Sequence, residues 1–405
     1  MGSNPITRFA MNDQRCIHRF ALRGLGRTAI VAVGVMLALV PALRAGETGV
    51  ADARATDQAA QVAAVVAHLT TADRVSQLVI TSVPGSVTLR PIDAAALRTA
   101  HFGGIILFAD NYRTRLALLR FTRAAQIATL AGDAWRPRAL VAIDQEGGVV
   151  KRIADAPPFR SAPQLGAADR IVGTRGQGRA TAHVLAALGV QLDFAPVADL
   201  DLGPRHVMAD RSFGSDPVKV GEQVAAFVAG IQAGGGAAAV KHYPGFGGAS
   251  VNSDDALATI TRSRAQLQRD LIPFQRAVGA GVDMVMVSHA RYTAVDTLRP
   301  ASTSPTWYRS LREDLGFEGV AITDSWHGAG FAAATRLDVA HGCVRAIEAG
   351  ADDALLTGSH KDAYACRAQL IIAARNGSLS AARIDEALRR VLLLKARLGL
   401  VPAVA

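Results

Sequence analysis

Eight short apolar runs, separated by longer amphipathic segments, constrain this sequence more than any other feature. They are QLVITSV (77–83), GGIILF (103–108), ALVAID (139–144), VQLDFAPV (190–197), AAAVKHY (237–243), VDMVMVSH (282–289), GVAITD (319–324) and DALLTG (353–358). Each is nearly continuous in apolar character instead of alternating, which predicts strands buried on both faces, as in a parallel sheet. Helical patterns fall between them, for example over 216–232, 262–279, 304–315 and 335–348. Eight strands alternating with helices predict an α/β fold, a single-domain (β/α)8 TIM barrel occupying 71–400.

An open, doubly wound sheet is the competing architecture, and the polar residues decide between the two. Asp144, Asp199, Lys241–His242, His289 and Asp324 each sit at or just past the C-terminal end of a different predicted strand. In a barrel those ends converge on one face, where active sites form. In an open sheet they would lie along a line, most of them unable to share a ligand. No GxGxxG loop follows the first strand, which argues against a nucleotide enzyme.

The net charge of +10 suggests nucleic acid until it is divided along the chain. Residues 1–45 hold six arginines and one acid, Asp13, so half the surplus lies there. The remainder carries only +5 and no Lys/Arg run interleaved with aromatics, so no nucleic-acid partner is expected. Five arginines precede the uncharged stretch Thr28–Leu43, with Ala45 and Gly46 just beyond. This is the pattern of a secretory signal peptide or an N-terminal anchor over 1–45, followed by a linker and first helix over 46–70. A secreted or cell-envelope protein is expected, with no membrane span in the mature form unless the segment stays uncleaved. Of the three cysteines, Cys16 would be lost on export, leaving Cys343 and Cys366. A disulfide and a pair of buried thiols are both open readings. No Cys/His cluster has metal-ligand spacing, so neither metal nor cofactor is expected.

Seven further pieces occur in order: GGIILFADN, IDQEGGVVKR, DFAPVADL, DRSFGSDP, KHYPGFG, MVSHARYTAVD and LGFEGVAITDSW. Together they make residues 75–400 resemble glycoside hydrolase family 3, specifically its N-terminal barrel domain and the single-domain bacterial β-N-acetylglucosaminidases within it. The resemblance places the family nucleophile on Asp324, which would form a covalent glycosyl intermediate. A strand-end Asp can also merely cap the next helix. The resemblance further implies that Asp144, Arg152, Arg211, Lys241 and His242 grip the sugar, with His289 near the pocket floor. An arginine in such a place can equally be tied into a salt bridge that holds a loop.

Two departures from the family pattern stand out. Where relatives often carry EGGRV, this chain has Val149, without the basic side chain. After Lys241, where the acetylglucosaminidases carry Asp-Ser-His as acid/base dyad, the chain reads Asn252-Ser253-Asp254. Asp254, with Asp255 beside it, is the candidate replacement proton donor. The glycines at 245, 247 and 248 predict a mobile loop able to deliver it. The leading expectation is a retaining, exo-acting β-N-acetylhexosaminidase acting on a cell-wall-derived glycan. The alternatives are a β-glucosidase-like member and a secreted carbohydrate-binding pseudoenzyme that keeps the pocket without acid/base power.

Overall fold

The computed structural model describes residues 56–83, 85–253, 255–326 and 338–403. The chain divides into two units, Met1–Asp57 and Gln58–Ala405. The expected signal or anchor over 1–45 lies outside the described residues. The second unit carries the fold. The first described helix runs over 56–68, within the 46–70 stretch expected to hold a linker and first helix.

Eight parallel strands close into a barrel in chain order. They are β1 (Val79–Ser82), β2 (Gly104–Leu107), β3 (Leu140–Ile143), β4 (Leu192–Asp193), β5 (Ala237–Tyr243), β6 (Met284–Val287), β7 (Val320–Ser325) and β8 (Asp353–Leu356). The (β/α)8 expectation holds, and seven strands lie wholly inside their apolar runs, β7 extending one residue beyond. Burial on both sides explains the continuous apolar pattern: Val141, Ala142, Val285 and Ile322 are all inaccessible to solvent. β4 is much shorter than its run because Pro196 has no N–H to give a ladder. The chain still returns to the sheet at Val197, which bridges Lys241.

Helices cover the outside. Asp216 caps Pro217–Ala233, its carboxylate accepting from the Val218 and Lys219 amides at 2.8 and 3.2 Å. The segment expected as one helix over 262–279 divides into Arg264–Asp270 and Ile272–Gly279. Pro273 is the cause, since its ring cannot follow a helical turn without clashing with the carbonyl four residues back. The 304–315 segment likewise changes pitch, from an α-turn over Pro305–Arg309 to a wider one over Ser310–Asp314.

Two strand ends are irregular. The β5–β6 register shifts between Val240 and Tyr243, and the β7–β8 register between Ile322 and Ser325. Bulges of this kind re-aim side chains. They fall on Lys241–His242 and on Asp324. At the opposite end of the barrel, the buried Asp352 accepts from Arg312, Arg383 and Arg390, a bracing network far from the C-terminal mouth. Cys343 and Cys366 form a disulfide that joins the helices Val339–Ala349 and His360–Asn376. Closing a loop of 23 residues contributes about 3 kcal/mol in the chain-entropy picture. Among the described residues, no helix is long and apolar enough to cross a membrane.

Candidate active site

The strand-end polar residues meet around one cleft of about 690 Å³ at the C-terminal mouth. Asp144 directly follows β3, Lys241 and His242 lie near the end of β5, and Asp324 lies near the end of β7. Arg152 comes from the hairpin after β3, where Gln145–Gly147 pairs antiparallel with Val150–Lys151. Arg211 comes from the long loop after β4. All six side chains line the cleft. The Lys241–His242 peptide is cis, and both side chains face inward.

One wall is a chain of alternating charge. Lys241 Nζ donates to Asp144 Oδ1 at 2.6 Å and lies 2.7 Å from Glu146 Oε1. Arg211 clasps Glu146 through two bonds of 2.9 and 2.7 Å. Arg152 reaches the other oxygen of Asp144 at 3.4 Å, and its guanidinium lies over the Phe108 ring at 5.3 Å. Burial alone would raise the Glu146 carboxyl, but Lys241 and Arg211 outweigh it and hold the group at about 2. Burial would likewise lower Lys241, yet Asp144 and Glu146 raise it above the ordinary lysine value. Both arginines therefore line the cleft and brace it at the same time.

Opposite stands a second arrangement. Asp199, buried after β4, accepts from His242 Nδ1 at 2.7 Å and from the Phe246 amide at 2.6 Å. That leaves Nε2 of His242 as the ring nitrogen able to meet a ligand. Burial pushes the Asp324 carboxyl up. The charges of His242 and His289, the Ser325 amide at 2.8 Å and Lys241 outweigh it, and the group is held below its usual value. Ser253 Oγ donates to Asp324 Oδ2 at 3.4 Å. His289 stands apart from the cleft lining: its Nδ1 meets Ser302 Oγ at 2.7 Å, and its ring packs 4.7 Å from that of Trp326. Burial lowers its pKa.

The mobile-loop expectation for Gly245, Gly247 and Gly248 needs correcting. A side chain on Gly247 would sit 2.2 Å from the Leu200 carbonyl oxygen, and one on Gly245, whose φ is +123°, 2.9 Å from Asp270 Cβ. These glycines permit close packing and a left-handed turn. Tyr292 pins the stretch further, its hydroxyl donating to the Gly245 carbonyl at 3.0 Å. Asn252 and Ser253 line the cleft. The proposed proton donor Asp254 lies outside the described residues. Asp199, placed at a strand end by the sequence, holds the His242 ring from behind, and Glu146 is a site residue that the sequence alone does not single out. The signal for Glu146 is a charged side chain opening a glycine-rich turn, which demands a distant partner.

The family model for the glycosyl hydrolase family 3 N-terminal domain matches residues 70–394. The chain belongs to glycosyl hydrolase family 3. A curated relative from Nitrosospira multiformis, named beta-hexosaminidase, is 36% identical over 289 residues, covering 69% of this chain and 80% of the relative. A family 3 β-N-acetylglucosaminidase from Paenibacillus sp. str. FPU-7 superposes with a TM-score of 0.76 at 33% identity. That alignment covers 82% of this chain and 63% of the Paenibacillus chain, so this chain spans less than two thirds of that longer protein. M tuberculosis LpqI superposes with a TM-score of 0.72 at 31% identity, covering 82% of this chain and 96% of LpqI.

Within this family 3 cleft, Lys241 is the cation on which two buried acids depend. Lys241→Met strands part of both charges, and breaking such a buried network costs about 3–5 kcal/mol. The expected result is a lower urea midpoint at unchanged slope. A loss under about 1 kcal/mol, the scale of an exposed pair, would show that Arg152 and Arg211 neutralise both acids alone. The pH dependence has a definite sign. Because the Glu146 pKa is depressed from 4.5 to about 2, its stabilisation is present above pH 4.5 and is lost as pH falls toward 2.

Proposed function

We propose that this family 3 chain is an exo-acting, retaining β-N-acetylhexosaminidase that removes a terminal N-acetylhexosamine from cell-envelope glycan fragments. The observation that carries the reading is a half-buried carboxylate, Asp324, kept ionised in a cleft whose walls present paired charges to sugar hydroxyls. The beta-hexosaminidase and β-N-acetylglucosaminidase names of its relatives support the sugar preference.

In this mechanism the sugar lies in the cleft with hydroxyls on Asp144, Lys241, His242, Arg152 and Arg211. Asp324 attacks the anomeric carbon, the bond to the leaving oxygen breaks, and that oxygen takes a proton from the acid/base, which we assign to Asp254. Water then attacks the same carbon, gives its proton back to the acid/base, and frees Asp324. Two inversions restore the β configuration.

Export forms part of the proposal. The Arg-rich start, the apolar stretch at 28–43 and the Cys343–Cys366 disulfide all suit an oxidising compartment outside the cytoplasm. The test expresses the full chain in a bacterial host and recovers it from the envelope fraction. The protein is expected to begin near residue 46 and to release β-N-acetylhexosamine from 4-nitrophenyl N-acetyl-β-glucosaminide with retention. Release of glucose from the matching glucoside alone would favour the β-glucosidase reading. A full-length chain confined to the cytoplasm would overturn the export reading.

A further inference from the structure

Among the described residues four acids line the cleft, and three are accounted for: Asp144 and Glu146 by their cations, Asp324 by its place as nucleophile. The fourth is Asp110, in the turn after β2. It makes no ion pair among the described residues, and its Oδ2 accepts only from the Gly85 amide, at 2.6 Å. The turn that carries it is fixed. Asn111 is fully buried, donates to the carbonyls of Val83 and Ser86 at 2.7 and 2.9 Å, and accepts from the Phe108 amide at 2.9 Å. Asp110 is therefore an exposed carboxylate on a fixed turn, tethered through the Gly85 amide.

Depth in the cleft says what Asp110 faces. The side chains of Lys241, Glu146 and Asp144 are 3%, 5% and 14% exposed, whereas Asp110 is exposed at the mouth. Phe108 and Asp110 line the same cleft nearer to solvent than this deep set, on the side from which a sugar gripped below would carry its leaving group outward. The terminal sugar is neutral, and Asp324 spends its charge on the anomeric carbon. In the substrate complex and in the first transition state, where the leaving sugar is still attached, the carboxylate at the mouth acts on whatever that sugar carries.

We propose that Asp110 sets the leaving-group preference of the cleft: a sugar bearing a protonated amine is favoured, and one bearing a free carboxylate is disfavoured. This rests on the hexosaminidase reading and narrows it. The test measures kcat/KM at pH 6 and low salt on N-acetylglucosamine β-1,4-linked to four leaving sugars. They are glucosamine, N-acetylglucosamine, N-acetylmuramic acid, and the methylamide of N-acetylmuramic acid. The last two differ in charge but hardly in size. The wild type is expected to prefer the amine over its acetylated form, and the amide over the free acid, by about three- to fivefold each. Both ratios should shrink in 0.5 M salt, where the screening length is only a few ångströms. Asp110→Asn should bring them near one, and Asp110→Arg should invert them. Ratios of one in the wild type, or unchanged ratios in Asp110→Arg, would overturn the proposal while leaving the enzyme a hexosaminidase. No turnover of 4-nitrophenyl N-acetyl-β-glucosaminide by the wild type would overturn the hexosaminidase reading and this inference with it.

Discussion

Asp324→Asn is expected to lower kcat by about 10⁴-fold or more, the scale seen when a covalent nucleophile is removed. The fold should survive, since the amide is nearly isosteric and its oxygen can keep the Ser325 amide bond of 2.8 Å. Losing the charge also removes a buried anion that His242, His289 and Lys241 stabilise. Thermal stability should therefore shift far less than activity. The discriminating measurement is covalent: a slow 2-fluoro or 5-fluoro glycoside should add one glycosyl mass to the wild type and none to the variant. Trapping of Asp324→Asn at the wild-type rate would remove Asp324 from the mechanism. The depressed pKa gives the pH sign. The attacking form is the carboxylate, so the acid limb of kcat/KM should reflect an ionisation below 3.8, leaving nucleophilicity intact through mildly acidic conditions.

The eight strands are legible in the sequence because a parallel barrel buries both faces of every strand, and that burial writes one continuous apolar run for each. Asp144, Lys241, His242 and Asp324 are legible for a related reason: a charged residue ending such a run needs an explanation, and strand ends in a barrel share one face. Glu146 is harder to read. Its partners, Lys241 and Arg211, are brought to it by a hairpin and a loop whose closure only the tertiary structure supplies. Asp199 is legible as a strand-end acid, but its work, holding the His242 ring and the Phe246 amide from behind, is visible only in the structure. Gly245 and Gly247 mislead because a glycine required for flexibility and one required for close approach look identical in sequence. Only the backbone of Leu200 and the side chain of Asp270 tell them apart. The helix expected over 262–279 breaks for a reason the sequence does contain, Pro273, whose effect is masked by a strong periodic pattern on both sides.

Asp254→Ala is expected to slow glycosides with poor leaving groups by about 10²–10⁴-fold, the usual span of a general acid. The deep cleft itself narrows the field for that role. Glu146 is held near 2 by Lys241 and Arg211, Asp144 is paired to Lys241 and Arg152, and Asp324 is kept ionised for attack. Glu146 and Asp324 thus carry no proton to give at working pH, and Asp144 is committed to its two cations. Asp254 follows Ser253, whose hydroxyl reaches Asp324 Oδ2 at 3.4 Å, so the chain arrives at the reacting centre one residue before it. For Asp254 to act as acid, its carboxyl must be protonated in the substrate complex, with a folded pKa above the usual value of about 3.9. Rate should then be lost as pH rises through that pKa. Aryl glycosides whose phenols leave unaided should be spared in the first step, and the variant should accumulate its glycosyl intermediate if the second step needs the same group as base. Azide, which attacks without giving up a proton, should then restore turnover and yield the β-glycosyl azide. Equal loss on good and poor leaving groups, with no azide product, would reduce Asp254 to a loop residue. A wild type that shows a burst of one equivalent and then stops would mark a chain that kept the nucleophile and lost its acid/base. One that shows no burst at all would mark a binding protein built on the same paired charges.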